Sequence, residues 1–529
     1  MRHAVRNFFR QHSRLLILGG AVLLYLIITL PAFFAEQHTF KNLEPYPDGL
    51  YYALGGKALA DSNSFELRYR DASLVPQVPV VYPFLLSVGY RVMPTVESFY
   101  LVNILLGAGT LVLLWLVLQR LTEHLSFVVF GMGVFVSNAV FWFLPTLPMT
   151  ENLSLFFFTL AVYGLLMKRM RLVDVACAVG GIAGLVYTHH SAVSVAGVLA
   201  VWLIYTVIAG MPKIISKRAL WAGLAVGVVG VAVASKPLAE RIMSVWQQLL
   251  NPENIFFNLK YVIGNIRTYS AISAGFSQFF LWVQTPLISP VVGVLSIMGM
   301  VMGLMQKKGR KIMLFLTSLF VSQFPPLLVF YVVDERYSIY TMVLAVLLSV
   351  VFLSRRVPQL GHKKLVMGVL LSVCVVSSVI SQRALVKQVV AANFLGSSHG
   401  WQQEAIQQFD QYFSQADSGG EVPLLITALP PVLVSAYQTA EYRVLPLSSA
   451  QEFLQKKEYM WGSDVPYGDL LSGYEQWLEE GKLLYITNAY ITHQASVIQD
   501  FEDFKNRFTL TQVSEGCINA CNVYMVGVK

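Results

Sequence analysis

"TENLSLFFFTLAVYGLL", residues 150–166, decides the class of this chain. Apart from Glu151 it carries no charge, and aromatic and aliphatic side chains dominate it. A helix at a water-facing surface keeps a polar face opposite its apolar stripe, whereas one that is apolar all round needs protein or lipid on every side. Crossing about 30 Å of hydrocarbon takes roughly 20 apolar residues at 1.5 Å rise each. Runs of this kind recur at 15–34, 97–118, 126–144, 152–167, 172–188, 191–210, 219–235, 280–305, 312–333, 337–354 and 365–382. The whole chain of 529 residues is 55% hydrophobic and only 13% charged. The reading is mainly α: a polytopic membrane helical bundle of about eleven transmembrane helices over residues 1–382.

Lys and Arg in the connections set the orientation. One set comprises the N-terminal tail, Arg120, Lys168 to Arg171, Lys213 to Arg218, Lys307 to Lys311 and Arg355 to Lys364. It holds nineteen basic residues against the acids Glu123 and Asp174. The other set, built mainly from two outer loops at 35–96 and 236–279, balances its charges far more evenly. The N-terminus is therefore expected in the cytoplasm and the C-terminus outside. The net charge of +8 follows from this bias and requires no nucleic acid. "AFFA" at 32–35 is a poor cleavage site after a long apolar run, so the first span reads as a retained anchor.

Within the second outer loop, 236–275 mixes apolar and polar residues at helical spacing and suits helices lying along the membrane interface. From about residue 393 the composition becomes that of a soluble domain, so 393–529 is expected as a small extracytoplasmic α/β unit. "VPLLITAL", "YRVLPL", "KLLYITNA" and "NVYMVGV" read as strands there, and "WQQEAIQQFDQYF", "YEQWLEE" and "VIQDFEDFKNRF" as helices. Cys177 and Cys374 lie within spans as packing residues, while Cys517 and Cys521 lie in the tail with a spacing that does not establish a disulfide.

No phosphate-binding loop, HExxH, GxSxG or dinucleotide fingerprint stands in a suitable setting. Polarity gathers instead at the outer helix ends: Asp48, Tyr52 and Tyr82 in the first loop, Glu151 in "LPTLPMTENLS", His189 and His190 in "YTHHSA", and Asp334, Glu335 and Arg336 in "VVDERYSIY". Charges at the boundary cost less than the about 2.5–3.5 kcal/mol of a midplane charge, so each has an ordinary reading too. Asp48 suits a solvated turn, Glu151 the first turn of a helix, the histidines an interface, and Arg336 a pair with Asp334. Their shared location favours a site.

The order of these segments resembles the GT-C glycosyltransferases, in the bacterial branch of protein O-mannosyltransferases and lipid A aminoarabinose transferases. The resemblance rests on the Arg-rich N-terminus with one span, Asp48 before "LYYALGGKALA", "PVVYPFLL", "TENLSLFFFTLAVYGLL", "GIAGLVYTHHSA" and "ERYSIYTMVLAVLL". It covers about residues 1–350. Asp48-Gly49 stands where the family often has Asp-Glu, and His189-His190 where it has a Thr-Arg-Pro type of sequence.

What the resemblance implies is transfer of a hexosyl or pentosyl group from a polyprenyl-phosphate donor to a hydroxyl of a glycan, lipid or protein acceptor outside the cytoplasm. Asp48 would act as general base and Glu151 would orient the acceptor or bind a divalent cation (Mg or Mn) with Asp48. Arg336, His189 and His190 would hold the donor phosphate, with Tyr52, Tyr82 and Glu335 as further substrate contacts and membrane lipids around the bundle. Two other classes compete: a lipid or glycan transporter, and a non-catalytic assembly protein that binds through its C-terminal unit.

Overall fold

The computed structural model describes residues 2–34, 48–63, 67–69, 72–74, 79–166, 171–188, 192–210, 258–275, 285–306, 309–330, 335–357, 362–390, 400–415, 421–429, 434, 438–448, 465–489, 495–514 and 522–529. In chain order it begins with α1 (Arg2–Phe34), α2 (Asp48–Ser62), a hairpin of β1 (Leu67–Tyr69) and β2 (Ala72–Leu74), α3 (Val81–Val92) and α4 (Glu97–Leu121). Then come α5 (Leu125–Val136), α6 (Ala139–Phe143), α7 (Glu151–Leu165), α8 (Leu172–Thr188) and α9 (Val193–Gly210). After a short 3-10 turn, Leu259–Tyr261, follow α10 (Val262–Ser273), α11 (Pro290–Met305), α12 (Arg310–Ser322), α13 (Phe324–Leu328), α14 (Tyr340–Arg356), α15 (Lys363–Ser381) and α16 (Arg383–Val390).

Helices occupy ten of the eleven apolar runs; the run at 219–235 lies outside the described residues. Four described helices are long and apolar enough to cross a bilayer, five if α5 and the segment after it count as one bent span. The chain is a multi-pass membrane protein.

Three local findings differ from the sequence reading. The run at 126–144, expected as one span, bends by 57° after Val136. Asn138 causes the break by capping α6, its Oδ1 accepting from the Val140 N–H at 2.9 Å. Gln382 covers the freed backbone, accepting from the Ala139 N–H at 2.8 Å and donating to Asn138 Oδ1 and the Pro286 carbonyl. Non-helical backbone at membrane depth survives only where protein satisfies it in this way. Second, "VPQVPVVYPF" leads into α3. Its Pro83 falls in the helix's first turn, where a missing N–H costs nothing. Third, the run at 312–333 divides at Gln323, between α12 and α13.

Ends that the charge count put on one side meet there. The Arg120 guanidinium, at the end of α4, pairs with Asp174 at the start of α8, donates to the Tyr163 carbonyl at 2.5 Å and lies 3.6 Å from the centre of the Tyr163 ring. Arg355 donates to the Gly309 carbonyl at 3.1 Å, and Lys311 lies over the Tyr205 ring at 4.6 Å. Glu151, at the other end of α7, belongs to the opposite face of the bundle.

α7 and α8 pack backbone to backbone. A Cβ on Gly164 would lie 2.5 Å from the Ala178 nitrogen and the Asp174 carbonyl oxygen, and one on Gly181 would lie 2.5 Å from the Ala161 nitrogen. Membrane helices use small residues at such crossings because close approach replaces the missing hydrophobic drive.

The C-terminal part comprises α17 (Gly400–Gln415), β3 (Leu424–Thr427), β4 (Arg443–Pro446), α18 (Tyr467–Glu479), β5 (Leu484–Thr487), α19 (Ala495–Arg507), β6 (Phe508–Ser514) and β7 (Val523–Val528). The sheet order is β4-β3-β5-β7-β6, with β4, β3 and β5 parallel and the last two strands antiparallel. Leu424, Ile426, Leu484 and Ile486 form a second core with Tyr474, Val497 and Phe504. Leu425 and Tyr485, on the other face, join Ala405, Phe409 and Phe413 in the cluster that continues into the membrane helices. β6 was not expected. It is an edge strand, largely without buried side chains, that follows α19 with no turn residue between them.

Candidate active site

The site is built around the first turn of α7. Thr150 occupies its N-cap position, Glu151 is its first helical residue, and the segment from Asn138 to Leu155 is buried throughout. Glu151 is only 3% exposed. The helix N-terminus carries partial positive charge, which favours a carboxylate at this position. Beside it the Thr150 Oγ1 and Asn152 Oδ1 atoms are buried without a hydrogen-bond partner among the described residues. Oxygen acceptors therefore flank the carboxylate.

Asn103, fully buried in the second turn of α4, ties the first outer loop to this turn. Its Oδ1 accepts from the Tyr82 hydroxyl at 3.0 Å, and its Nδ2 donates to the Leu147 carbonyl at 2.5 Å. Its own carbonyl accepts from Asn152 Nδ2 at 3.3 Å. Tyr52 of α2 meets the Tyr82 ring edge-on, with centres 5.3 Å apart and planes at 74°. Burial pushes the Tyr82 phenol well above its usual range; the Asn103 bond lowers it and the Glu151 carboxylate raises it again. Glu151 is thus close enough for its charge to act on Tyr82.

On the other flank, the Ser154 and Tyr340 hydroxyls share a hydrogen bond, and the Phe158 ring packs 4.8 Å from that of Tyr340. Glu151 also interacts electrostatically with Tyr340. Tyr340 opens α14 directly after the 3-10 turn Glu335–Ser338, which carries Arg336. Arg336 is half-buried, and its Nη2 donates to the Tyr337 hydroxyl at 3.1 Å.

Of the residues singled out in the sequence, Tyr52, Tyr82 and Glu151 are therefore brought together, with the turn bearing Arg336 one helical turn from Tyr340. Asp48 is the first residue of α2, four positions before Tyr52. The Asp48 and Glu335 side chains lie outside the described residues, as do Asp334, His189, His190, Cys517 and Cys521. Asn103, Asn152, Ser154 and Tyr340 were missed. Their signal was available: a polar side chain inside an apolar run must find a partner.

Asn103→Leu is expected to destabilise the protein by about 1–3 kcal/mol, because it strands the Tyr82 hydroxyl and the Leu147 carbonyl in a buried setting. Thermal unfolding in detergent measures this. Tyr82→Phe, which also strands an Asn103 atom but keeps the contact with Leu147, should cost less.

Among the described residues no three His, Cys, Asp or Glu side chains gather in a way that would hold a metal ion. Glu151 supplies one carboxylate with neutral oxygens beside it, and the side chain of Asp48, its expected partner in holding a divalent cation, lies outside the described residues; water and substrate phosphate usually complete the oxygen shell of such an ion.

No protein-family model matches the chain, and no curated protein sequence does. Solved structures do. ArnT from Cupriavidus metallidurans, bound to undecaprenyl phosphate, aligns with 96% of this chain and 98% of its own at a TM-score of 0.55 and 13% identity. The Archaeoglobus fulgidus oligosaccharyltransferase, tethered to an acceptor peptide, aligns with 99% of this chain and 75% of its own at a TM-score of 0.52 and 10% identity. The chain has the GT-C fold. The arabinofuranosyltransferase AftD from mycobacteria shares that GT-C fold over 97% of this chain and 41% of its own, with a TM-score of 0.50 and 13% identity. At such identities the GT-C likeness lies in the path of the chain, and the chemistry has to be argued from the residues of this one.

Proposed function

We propose that this protein is a membrane glycosyltransferase that takes a sugar from a polyprenyl-phosphate donor and moves it to an acceptor hydroxyl on the extracytoplasmic face. One observation carries the reading: on a GT-C fold, a buried carboxylate, Glu151, opens a helical turn whose next residues, Asn152 and Ser154, are hydrogen-bonded toward the first outer loop and the start of a late helix. A prenyl tail stays among the apolar helices while its phosphate remains at the boundary, so the chemistry belongs at the helix ends.

In this reading Asp48 takes the proton of the acceptor hydroxyl as general base. The oxygen attacks the anomeric carbon, the bond from that carbon to the phosphate oxygen breaks, and polyprenyl phosphate leaves with the electron pair. Displacement in one step inverts the anomeric configuration. Arg336, with His189 and His190, stabilises the charge that grows on the departing phosphate. Glu151 orients the acceptor by accepting from its hydroxyls, and Tyr52 and Tyr82 form an aromatic wall beside it, with Glu335 near the phosphate-binding turn. The N-terminus is cytoplasmic and residues 393–529 form an extracytoplasmic unit. No step is routed through a metal; Asp48 and Glu151 would be the residues to hold a divalent cation, which would offset negative charge at the donor phosphate.

Mass spectrometry of lipid-linked sugars and surface glycans, in cells with and without the gene, tests the proposal. Loss of one glycan modification with accumulation of its lipid-linked donor is expected. Unchanged profiles would overturn it, and translocation of an intact lipid-linked sugar by reconstituted protein would point to a transporter.

A further inference from the structure

The short 3-10 turn and α10 carry an exposed stripe that the proposed reaction does not use. Leu259 is 68% exposed, Ile263 85% and Ile266 48%, and Lys260 and Arg267 are exposed beside them. At 3.6 residues per turn the apolar and cationic positions form two adjacent stripes roughly 90° apart. No acid occurs between Asn258 and Gly275.

The opposite face fixes where this helix lies. Asn265, Tyr269 and Ile272 are buried. Asn265 Nδ2 donates to the carbonyls of Leu327, Leu328 and Phe330 at 3.0, 3.1 and 2.8 Å, and the Asn258 N–H donates to the Val329 carbonyl at 2.8 Å. Those carbonyls close the segment Arg310–Leu328, which is long and apolar enough to span a bilayer. α10 is thereby pinned at the depth where a span ends, with three large apolar side chains directed away from the protein.

We propose that this stripe is a docking surface for the outer leaflet of the bilayer, in which Leu259, Ile263 and Ile266 enter the boundary between headgroups and acyl chains and Lys260 and Arg267 bind anionic phospholipid headgroups. A helix with an apolar face flanked by cations lies in the membrane plane, its long basic side chains reaching back to the phosphates. The charge chooses the occupant: a face of two cations and no acid complements an anionic lipid surface. The proposal rests on the position of α10 and not on the reaction, so either can fail without the other.

The test uses the full chain reconstituted in phosphatidylcholine vesicles with and without phosphatidylglycerol. A nitroxide on Ile263→Cys should be more accessible to oxygen than to a water-soluble nickel complex, and equal or greater access for nickel would overturn the proposal. Low access to both reagents would mean that protein covers the stripe, and would overturn it as well. By native mass spectrometry, the Lys260→Gln/Arg267→Gln variant should retain phosphatidylglycerol about fivefold less per cation removed. Retention equal to wild type would refute the headgroup contact. Both substitutions are at exposed positions, and an unchanged thermal melt confirms that the variant folds.

Discussion

Asp48→Asn is expected to lower sugar transfer by about 10²–10⁴-fold, the usual contribution of a positioned general base. Asparagine keeps the size of the side chain but cannot take the acceptor's proton at neutral pH. Binding of polyprenyl phosphate, measured directly on the purified variant, should stay at the wild-type level, because the donor phosphate meets other groups in the proposed mechanism. Glu151→Gln should behave differently. Its proposed role is to orient the acceptor, so the loss of a charged hydrogen bond should raise the acceptor KM and reduce kcat/KM by roughly 10–100-fold. Glu151 lies at the positive end of α7 with acceptor oxygens around it, and glutamine there removes a buried charge while nearly conserving volume. Its thermal stability should therefore remain close to wild type. A kcat loss at Asp48 and a KM rise at Glu151 would separate base from binding group; identical effects at both would argue that the two carboxylates act as one unit.

The largest structural effect is expected from Gly164→Leu. Even its first side-chain atom would lie 2.5 Å from backbone atoms of α8, and backbone cannot rotate aside as a flexible side chain does. α7 and α8 must separate, at a cost of about 1–3 kcal/mol or more for an overpacked site. Because α7 carries Glu151 at its other end, the shift should also misplace the carboxylate and lower transfer, though Gly164 lies some three turns away from it. Gly181→Leu should act in the same way from the partner helix. Gly180→Ala is the control: nothing lies within 4 Å of a Cβ at that position, and alanine favours the helix. Thermal unfolding of the detergent-solubilised variants measures all three, with Gly180→Ala expected at or slightly above wild type.

Why some of this was legible in the sequence, and some not, follows from the range of the forces involved. Apolar runs report a local property, the solvent that a segment prefers, and helices fill the described runs. Lys and Arg report a global asymmetry, and within the set they define Arg120 pairs with Asp174 and Arg355 bonds the Gly309 carbonyl. The break at Asn138 depends on Gln382, which is 244 positions away, and no local pattern announces that partner. α3 falls inside the stretch read as the outer loop 35–96, where Pro83 sits in the first turn of a helix that the loop reading did not include. In the C-terminal part the buried strands β3 and β5 stood out as apolar runs, while β6 pairs its backbone with β7 and buries only Phe508 fully. The site divides along the same line. Glu151 is conspicuous because it stands as an acid directly before the apolar run 152–167, about 24 Å of helix at 1.5 Å per residue. That Asn103 would join Tyr82 to the α7 turn is a matter of packing between segments, and only the folded chain contains it.

The most direct measurement is a transfer assay on the purified protein in nanodiscs, supplied with polyprenyl-phosphate sugars and acceptor glycans extracted from the source membranes, with both products followed by mass spectrometry. Wild type should yield free polyprenyl phosphate and glycosylated acceptor in equal amounts, and Asp48→Asn about 10²–10⁴-fold less of both. Normal turnover by Asp48→Asn, or a wild-type protein that binds the donor and yields no covalent product, would contradict the proposed mechanism.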